Sequence, residues 1–472
     1  MVKAYPKYKD SGTPWVGKVP DNWDVLPNRT LFYEIKERGH IDEQLISVTI
    51  SQGIIRQTDL ISNSSKKDSS NEDKSKYKLV VPGDIAYNKM RAWQGAVGVS
   101  QYRGIVSPAY IVVRPRRKLN ARYFHYLLRT PAFAKEAERW SYGITSDQWS
   151  LRAEHFKMIY CPVPSTEEQK AIVEYLDAVN KIIRKYIREK QKIIKLLSEQ
   201  KQAIINKAVT RGIDPNVRLK PSGVEWLGDI PEHWEVKKIK RIADFAPPKA
   251  ESSFTKFSNE KVVFLPMEKV SCDGEIDCSE TRPISEVWQG YTYFRKNDVI
   301  IAKITPCFEN GKGACLNKLK SEFGFGTSEF IVLRAKQHEI YPEYLYKITT
   351  TQIFRLLGAE SMTGAAGQQR VSSSFVKNFL VSLPPKEEQL AIKEFIDEQV
   401  SKYEGMIKKL KDSISFVQEY HSRLISDVVT GKVDVRDIKL QEVEDISESE
   451  PIEEQEMAED VEDTQEVVNA DE

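Results

Sequence analysis

The strongest constraint on this chain is that it contains itself twice. The run from Ser11 to Val25 (SGTPWVGKVPDNWDV) returns from Ser222 to Val236 (SGVEWLGDIPEHWEV), with a serine, two glycines, a proline, two tryptophans and a valine matched at a constant offset of 211. The correspondence continues as the offset drifts to 220. Gly83-Asp84-Ile85 matches Asn297-Asp298-Val299, and Ser107–Arg114 matches Thr327–Arg334. Pro164-Ser165-Thr166-Glu167-Glu168-Gln169 matches Pro384-Pro385-Lys386-Glu387-Glu388-Gln389. No repeat of 20–50 residues is present, so this is a duplicated fold and not a solenoid. The edges of each half match better than its middle. One architecture is therefore used twice with two different inner surfaces.

Each half ends in a long helical pattern. From Glu167 to Val209 there is neither Pro nor Gly, with Ser165 or Thr166 placed to cap the start and acidic residues in the first turn. Ile172, Leu176, Val179, Ile183, Tyr186, Lys190, Ile193, Leu197, Gln200, Ile204 and Lys207 alternate by four and three, the spacing of a coiled-coil seam. The second copy reads Ile392, Ile396, Gln399, Tyr403, Met406, Leu410, Ser413, Val417, Tyr420 and Leu424, interrupted by Gly405 at a cost of about 1 kcal/mol. At 43 residues each helix spans about 65 Å. Two such stripes in one chain bury each other, antiparallel if the halves are related by a pseudo-twofold axis.

The segments 26–160 and 237–380 have short β-prone runs, such as Gly104–Val106, Tyr110–Val113 and Phe330–Leu333, punctuated by Gly, Pro and Asn. Helical stretches are expected near Ala121–Leu128 and Pro342–Ile348. The fold class is α+β: two globular domains hung on a coiled-coil rod. Residues 62–75, rich in Ser, Lys and Asp, are expected to form a mobile loop.

Charge is segregated along the chain. Residues 441–472 hold 15 Asp and Glu and no Lys or Arg, which leaves residues 1–440 with 70 bases against 54 acids, about +16. A body that basic fits a polyanionic partner, although a basic enzyme gives the same balance. The acidic tail is expected to be disordered, either screening the body from non-specific DNA or simply solvated. The five cysteines are odd in number and form no Cys-x-x-Cys pair, which argues against a disulfide framework or a zinc module. No apolar run approaches a membrane span and the N-terminus has no signal-peptide core, so a cytoplasmic location is expected.

Catalytic signatures are missing. There is no Gly-x-x-x-x-Gly-Lys-Ser/Thr loop, no complete Gly-x-Gly-x-x-Gly and no Asp/Asn/Ser-Pro-Pro-aromatic motif, and the six histidines have no metal spacing. Pro20-Asp21 followed by Glu34-Ile35-Lys36 resembles a nuclease metal set. Pro20, however, belongs to the duplicated tryptophan motif, and Phe245 stands where a second Glu34 would be. The chain is therefore expected not to be a catalyst.

The divergent interiors suit nucleic-acid contact. Asn88, Lys89, Arg91 and Gln94 lie in a run that mixes bases, amides and aromatics after a β-prone segment; Lys303, Thr305, Asn310 and Lys312 occupy the equivalent run, with Lys89 and Lys303 related by 214. A second pair of polar, Gly-containing loops carries Thr145 and Gln148 in the first half and Gln368, Gln369 and Arg370 in the second. Arg and Lys can pair with guanine or phosphate, and Asn and Gln with adenine; ordinary solvated loops have the same composition. Trp15, Trp23, Trp226 and Trp234 are expected in cores or domain interfaces. Lys181, Arg184, Lys185, Arg188, Lys192 and Lys195 fall on the outer side of the first helix, as a solvated exterior or a stripe facing a DNA backbone.

These residues together resemble the specificity subunit of type I restriction–modification systems, from residue 1 to about 435. The cues are the two tryptophan motifs, Asn88–Ala96 (NKMRAWQGA), Ile304–Lys312 (ITPCFENGK) and the Glu-Glu-Gln entry to each helix; Pro162-Val163-Pro164 departs slightly from the family's Pro-Pro. The resemblance implies target-recognition domains at 1–166 and 212–386 in pseudo-twofold tandem repeat, joined by antiparallel spacer helices at 167–211 and 387–432, with an acidic tail at 433–472. Each domain would read one half of a bipartite, asymmetric double-stranded DNA site, with centres about 34 Å apart to face one side of the duplex. The scaffold would dock two methyltransferase subunits and, beyond them, motor-nuclease subunits. S-adenosylmethionine, ATP and Mg²⁺ would belong to those partners, with none in this chain. Two other classes stay open on the residues alone: a self-contained DNA methyltransferase or nuclease, and a coiled-coil assembly scaffold.

Overall fold

The computed structural model describes residues 3–50, 52–62, 74–116, 118–143, 149–251, 258–365 and 367–438. The chain forms two compact units, one of Met1–Gln191 with Asp412–Glu472 and one of Lys192–Lys411. The division cuts both long helices, Thr166–Arg211 and Lys386–Val429, so each unit owns the start of one helix and the end of the other. Apart from residues 62, 74 and 75, the loop expected at 62–75 and the whole tail 441–472 fall outside the described residues.

Each unit has the same central sheet. In the first, the antiparallel order is Phe32–Ile35, Tyr110–Pro115, Ile85–Asn88, Val97–Val99. In the second it is Ala243–Phe245, Phe330–Ala335, Val299–Ala302, Gly313–Cys315. The register is the same too: Val113 faces Glu34 and Ile85, and Leu333 faces Phe245 and Val299. Helices Ala121–Leu128 and Pro342–Thr349 follow, close to their expected bounds. Alternation in the strands sends Ile85, Tyr87 and Val113 into one core with Phe124 and Phe156, and Val299, Ile301 and Leu333 into the other with Tyr344 and Phe354. Trp23 and Trp234 are fully buried at the centre of these cores, while Trp15 and Trp226 sit nearer the surface against Phe133 and Phe379.

The second layers differ. The first unit has a hairpin, Ile46–Thr49 with Gly53–Arg56, and a separate pair, Lys78–Val80 with Gly104–Val106. The second unit has a four-stranded mixed sheet in the order Thr281–Pro283, Lys261–Leu265, Phe323–Gly326, Thr292–Arg295, whose middle pair is parallel.

The two helices close each core by the same device. Ser165 caps the first helix by accepting from Glu168 N at 3.2 Å. The side chain of Gln169 accepts from Asn120 N and donates to Pro164 O; that of Gln389 accepts from Tyr341 N and donates to Pro384 O. In the first unit Tyr123 OH donates to Val429 O, 3.0 Å away at the end of the second helix, and Gly431 (φ +76°) lies against Pro20 and Trp23. In the second unit Ser382 Oγ donates to Val209 O at 2.9 Å, and Gly212 (φ +75°) lies against Trp234. Both glycines follow a helix end in the left-handed region, where a side chain is strained.

Within each unit the helix segments run antiparallel, linked by Tyr186–Ser413 (2.7 Å) in the first and Lys201–Glu404 (3.2 Å) in the second. The seam is buried toward the helix ends, at Ile172, Leu176, Ile183, Ile392, Ile396 and Leu424, whereas the seam positions Ile193, Met406 and Tyr420 are exposed. Near the seam's Tyr186 it is Ile187 that is buried. A 3.6-residue turn drifts by about 20° per heptad against a 3.5-residue pattern, so a strict four-three reading slips over this length. Among the described residues no helix is long and apolar enough to cross a membrane.

Candidate nucleic-acid interface

In each unit the central sheet delivers one lysine to one place. Lys89 follows the strand Ile85–Asn88; its N–H donates to Ala109 O (3.2 Å) and its carbonyl accepts from Leu151 N (2.8 Å). Lys303 follows Val299–Ala302; its N–H donates to Glu329 O (2.9 Å) and its carbonyl accepts from Val371 N (2.8 Å). The two sequence-predicted loops of each half are thus laced together through this residue. The bridges Tyr142–Ser150 and Thr363–Arg370 complete the two junctions.

The turn after Lys89 is self-supporting. Asn88 Oδ1 accepts from Met90 N (2.9 Å), Trp93 Nε1 donates to Met90 O (2.8 Å), and Gly95 closes the loop at φ +94°. Asn88 therefore spends its carbonyl oxygen on the turn. Lys89 and Arg91 are half-buried and Gln94 is exposed at its crest. Trp93 meets Trp149 edge to face at 5.6 Å, joining the turn to the second loop. Thr145 and Gln148 lie outside the described residues.

In the second unit, Thr305 N donates to Gln369 O (3.0 Å) and Thr305 Oγ1 donates to Met362 Sδ (3.2 Å). Asn310 is exposed, with its N–H bonded to Pro306 O. Lys312 Nζ reaches Met267 O (3.1 Å), tying this turn to the neighbouring layer. Gly311 (φ +76°) lies in the left-handed region, where a side chain is strained, and packs against the Arg355 side chain. Gln368 and Arg370 are exposed and Gln369 half-buried. Arg370 grips both oxygens of Glu329 at 2.9 and 3.0 Å. That hydrogen bonding holds the Glu329 carboxyl below its ordinary range, with Lys303 adding to the effect.

Several contributors were not singled out from the sequence. Glu329 is one; it aligns with Ala109, and a reading guided by matches passes over it. Lys78 is another: buried, it donates to Tyr110 O (2.6 Å) and Pro108 O (3.3 Å), and burial pushes its ammonium down to about 8. Arg129 donates to Val97 O (2.9 Å) and Ile50 O (2.7 Å), fixing the hairpin beside the central sheet. No periodicity marks either residue. On the first helix Lys181, Arg184, Lys185, Lys192 and Lys195 are exposed and Arg188 is half-buried.

The nuclease-like set is otherwise employed. Glu34 pairs with Lys36 (3.7 Å) and Lys157 (3.6 Å). Among the described residues no group of three or more His, Cys, Asp or Glu is arranged to hold a metal ion.

Fold and loops define a tandem-repeat protein that presents two different polar surfaces from one scaffold. Residues 30–196 and 231–414, well over half of the chain, match the family described as type I restriction modification DNA specificity domain, and the chain belongs to that family. It is 37% identical over 166 residues to the type I restriction enzyme EcoEI specificity subunit of Escherichia coli, a match covering 35% of this chain and 27% of that one. The matched segment is thus about a quarter of that relative's length. Against the EcoKI specificity subunit of Escherichia coli strain K12 it is 20% identical over 442 residues, 88% of this chain and 90% of the other. A solved structure titled as the structural basis of complex assembly and conformational transition of the type I R-M system superposes with a TM-score of 0.62 at 13% identity, covering 87% of this chain and 98% of that one. This last likeness shows a shared fold.

Proposed function

We propose that this chain is the DNA sequence-recognition subunit of a type I restriction–modification enzyme, with each unit reading one half of a bipartite, asymmetric site. The observation that carries the reading is the pair of matched junctions. Lys89 and Lys303 make the same main-chain bonds, yet the side chains around them differ: Asn88, Arg91 and Gln94 in one unit, Thr305, Asn310 and Arg370 in the other. Equal scaffolds with unequal polar crests suit two unlike half-sites, each base-edge contact contributing roughly 1–3 kcal/mol of discrimination. The basic body supplies the sequence-independent attraction to phosphates.

The partners in this reading are two methyltransferase subunits and motor-nuclease subunits, which bring S-adenosylmethionine, ATP and Mg²⁺, in the cytoplasm. Mapping methylated bases in host DNA with and without the gene tests it. A bipartite motif that disappears with the gene is expected, and exchanging residues 26–160 for another reader should change one half-site alone. A change in both halves, or methyl transfer by the pure chain, overturns the reading.

A further inference from the structure

We propose that Arg370 and Glu329 form a preset base-reading pair, in which Arg370 donates to the O6 and N7 of a guanine in the half-site contacted by the second unit. The inference rests on the chain being a DNA sequence-recognition subunit and deepens that reading to one base pair.

Position is the first argument. Arg370 bridges to Ile304 and Thr363 at the point where both candidate loops of the second unit meet, and Glu329 supplies the carbonyl that holds Lys303. The Arg370 side chain is 44% exposed there and that of Glu329 22%.

The second argument is a count of donors. A guanidinium has five N–H groups in a fixed fork. One from Nε and one from Nη2 go to Glu329, and one from Nη1 goes to Gln368 O at 3.2 Å. Among the described residues the other two, one each on Nη1 and Nη2, have no acceptor. An arginine held along one edge and presenting a second pair of donors matches the O6/N7 acceptor pair of guanine, the commonest specific contact in the major groove. Holding the fork in advance lowers the ordering cost of binding.

Charge supplies the third argument. The pair is neutral, so it gains little from a phosphate, whose grip depends on net positive charge. Its directional donors remain, and those discriminate bases.

The pair is also not needed to hold the fold. Exposed ion pairs add little to stability. The first unit builds the same junction with Ala109 and Ser150 in these places, through Leu151 N to Lys89 O and the Tyr142–Ser150 bridge.

The test is methylation mapping in the host with the wild-type, R370K and E329Q chains at full length. The half-site left unchanged by exchanging residues 26–160 belongs to the second unit. The wild type is expected to require a G·C pair there. R370K keeps the charge, so a phosphate contact would survive it; a base reader should instead lose preference at that one position by about 5- to 150-fold, with the other positions kept. E329Q should relax the same position by less. A second half-site without G·C, an unchanged R370K motif, or weakening spread over all positions overturns the proposal. If R370K abolishes methylation, E329Q decides: relaxation at a single G·C supports the pair, and an unchanged motif overturns it. Failure of the parent reading is distinct, because the wild type would then show no motif that depends on the gene.

Discussion

The two units keep one set of side-chain bonds and exchange others. Asp84 and Asp298 are both buried and both grip an arginine with two oxygens, Arg114 at 2.7 and 2.9 Å and Arg334 at 2.7 Å twice. His125 of the first unit accepts from Val99 N, whereas Tyr346, at the same position of the second unit's helix, donates to Gly313 O. Lys157 pairs with Glu34, whereas Lys377 stands 5.3 Å over the ring of Phe245. Each aspartate also holds a turn, Asp84 accepting from Val81 N and Asp298 from Arg295 N, and this double duty fixes the residue. Positions with a single bond to make accept other partners of suitable size, and the polar loops of the candidate interface differ in the same way.

The comparison can be tested by paired substitutions. The largest effect should come from Asp84→Ala and Asp298→Ala, each removing a buried carboxylate that makes two charge-assisted bonds to an arginine and holds a turn, at a cost of a few kcal/mol. Hydrogen exchange on the two units should show losses of similar size; a loss in one alone would break the claim of a shared scaffold.

Acid should separate the units. Burial, helped by Arg129, Arg122 and Arg184, holds the His125 imidazole down at about 3. An unfolded histidine titrates near 6.5, so between pH 6.5 and 3 the unfolded chain binds the extra proton. His125 therefore withdraws stability as pH falls through that window, by roughly 4 kcal/mol at the bottom. H125N should flatten this part of the first unit's acid profile, and the second unit, with Tyr346, should lack it. An H125N profile matching the wild type would remove the contrast.

Smaller differences follow from the twin tryptophans. Trp234 Nε1 donates to Glu388 at 3.0 Å, while Trp23 Nε1 has no acceptor among the described residues. Trp234→Phe should cost about 1 kcal/mol more than Trp23→Phe in denaturant unfolding; equal costs would show the bond to be without net effect. The smallest change is expected from Lys157→Ala and Lys377→Ala, each under about 1 kcal/mol. A larger loss in either would mean that its partner is not interchangeable.

The repeat, the long helices and strands such as Gly104–Val106 were legible because each leaves a local signature: a matched motif, an apolar period, a β-branched run between turn residues. The mixed sheet of the second unit was not, because the parallel pairing of Lys261–Leu265 with Phe323–Gly326 joins distant segments and no local period encodes it. At the candidate interface, composition pointed to loops that the main chain brings together. It did not find the division of labour. Asn88 looked like an adenine reader and has its oxygen committed to its own turn; Glu329 was invisible because its counterpart is Ala109. A duplicated sequence advertises what its copies share and hides where they disagree.

The ownership of the helix ends has a consequence for how the protein is made. The second unit, Lys192–Lys411, is a contiguous stretch of chain, but the core of the first includes Leu424, Val428, Val429 and Val435. A ribosome adding about 5–20 residues per second therefore releases the later copy in finished form first. The earlier copy waits tens of seconds for its last strip of core, so the first segment synthesised is the last to mature.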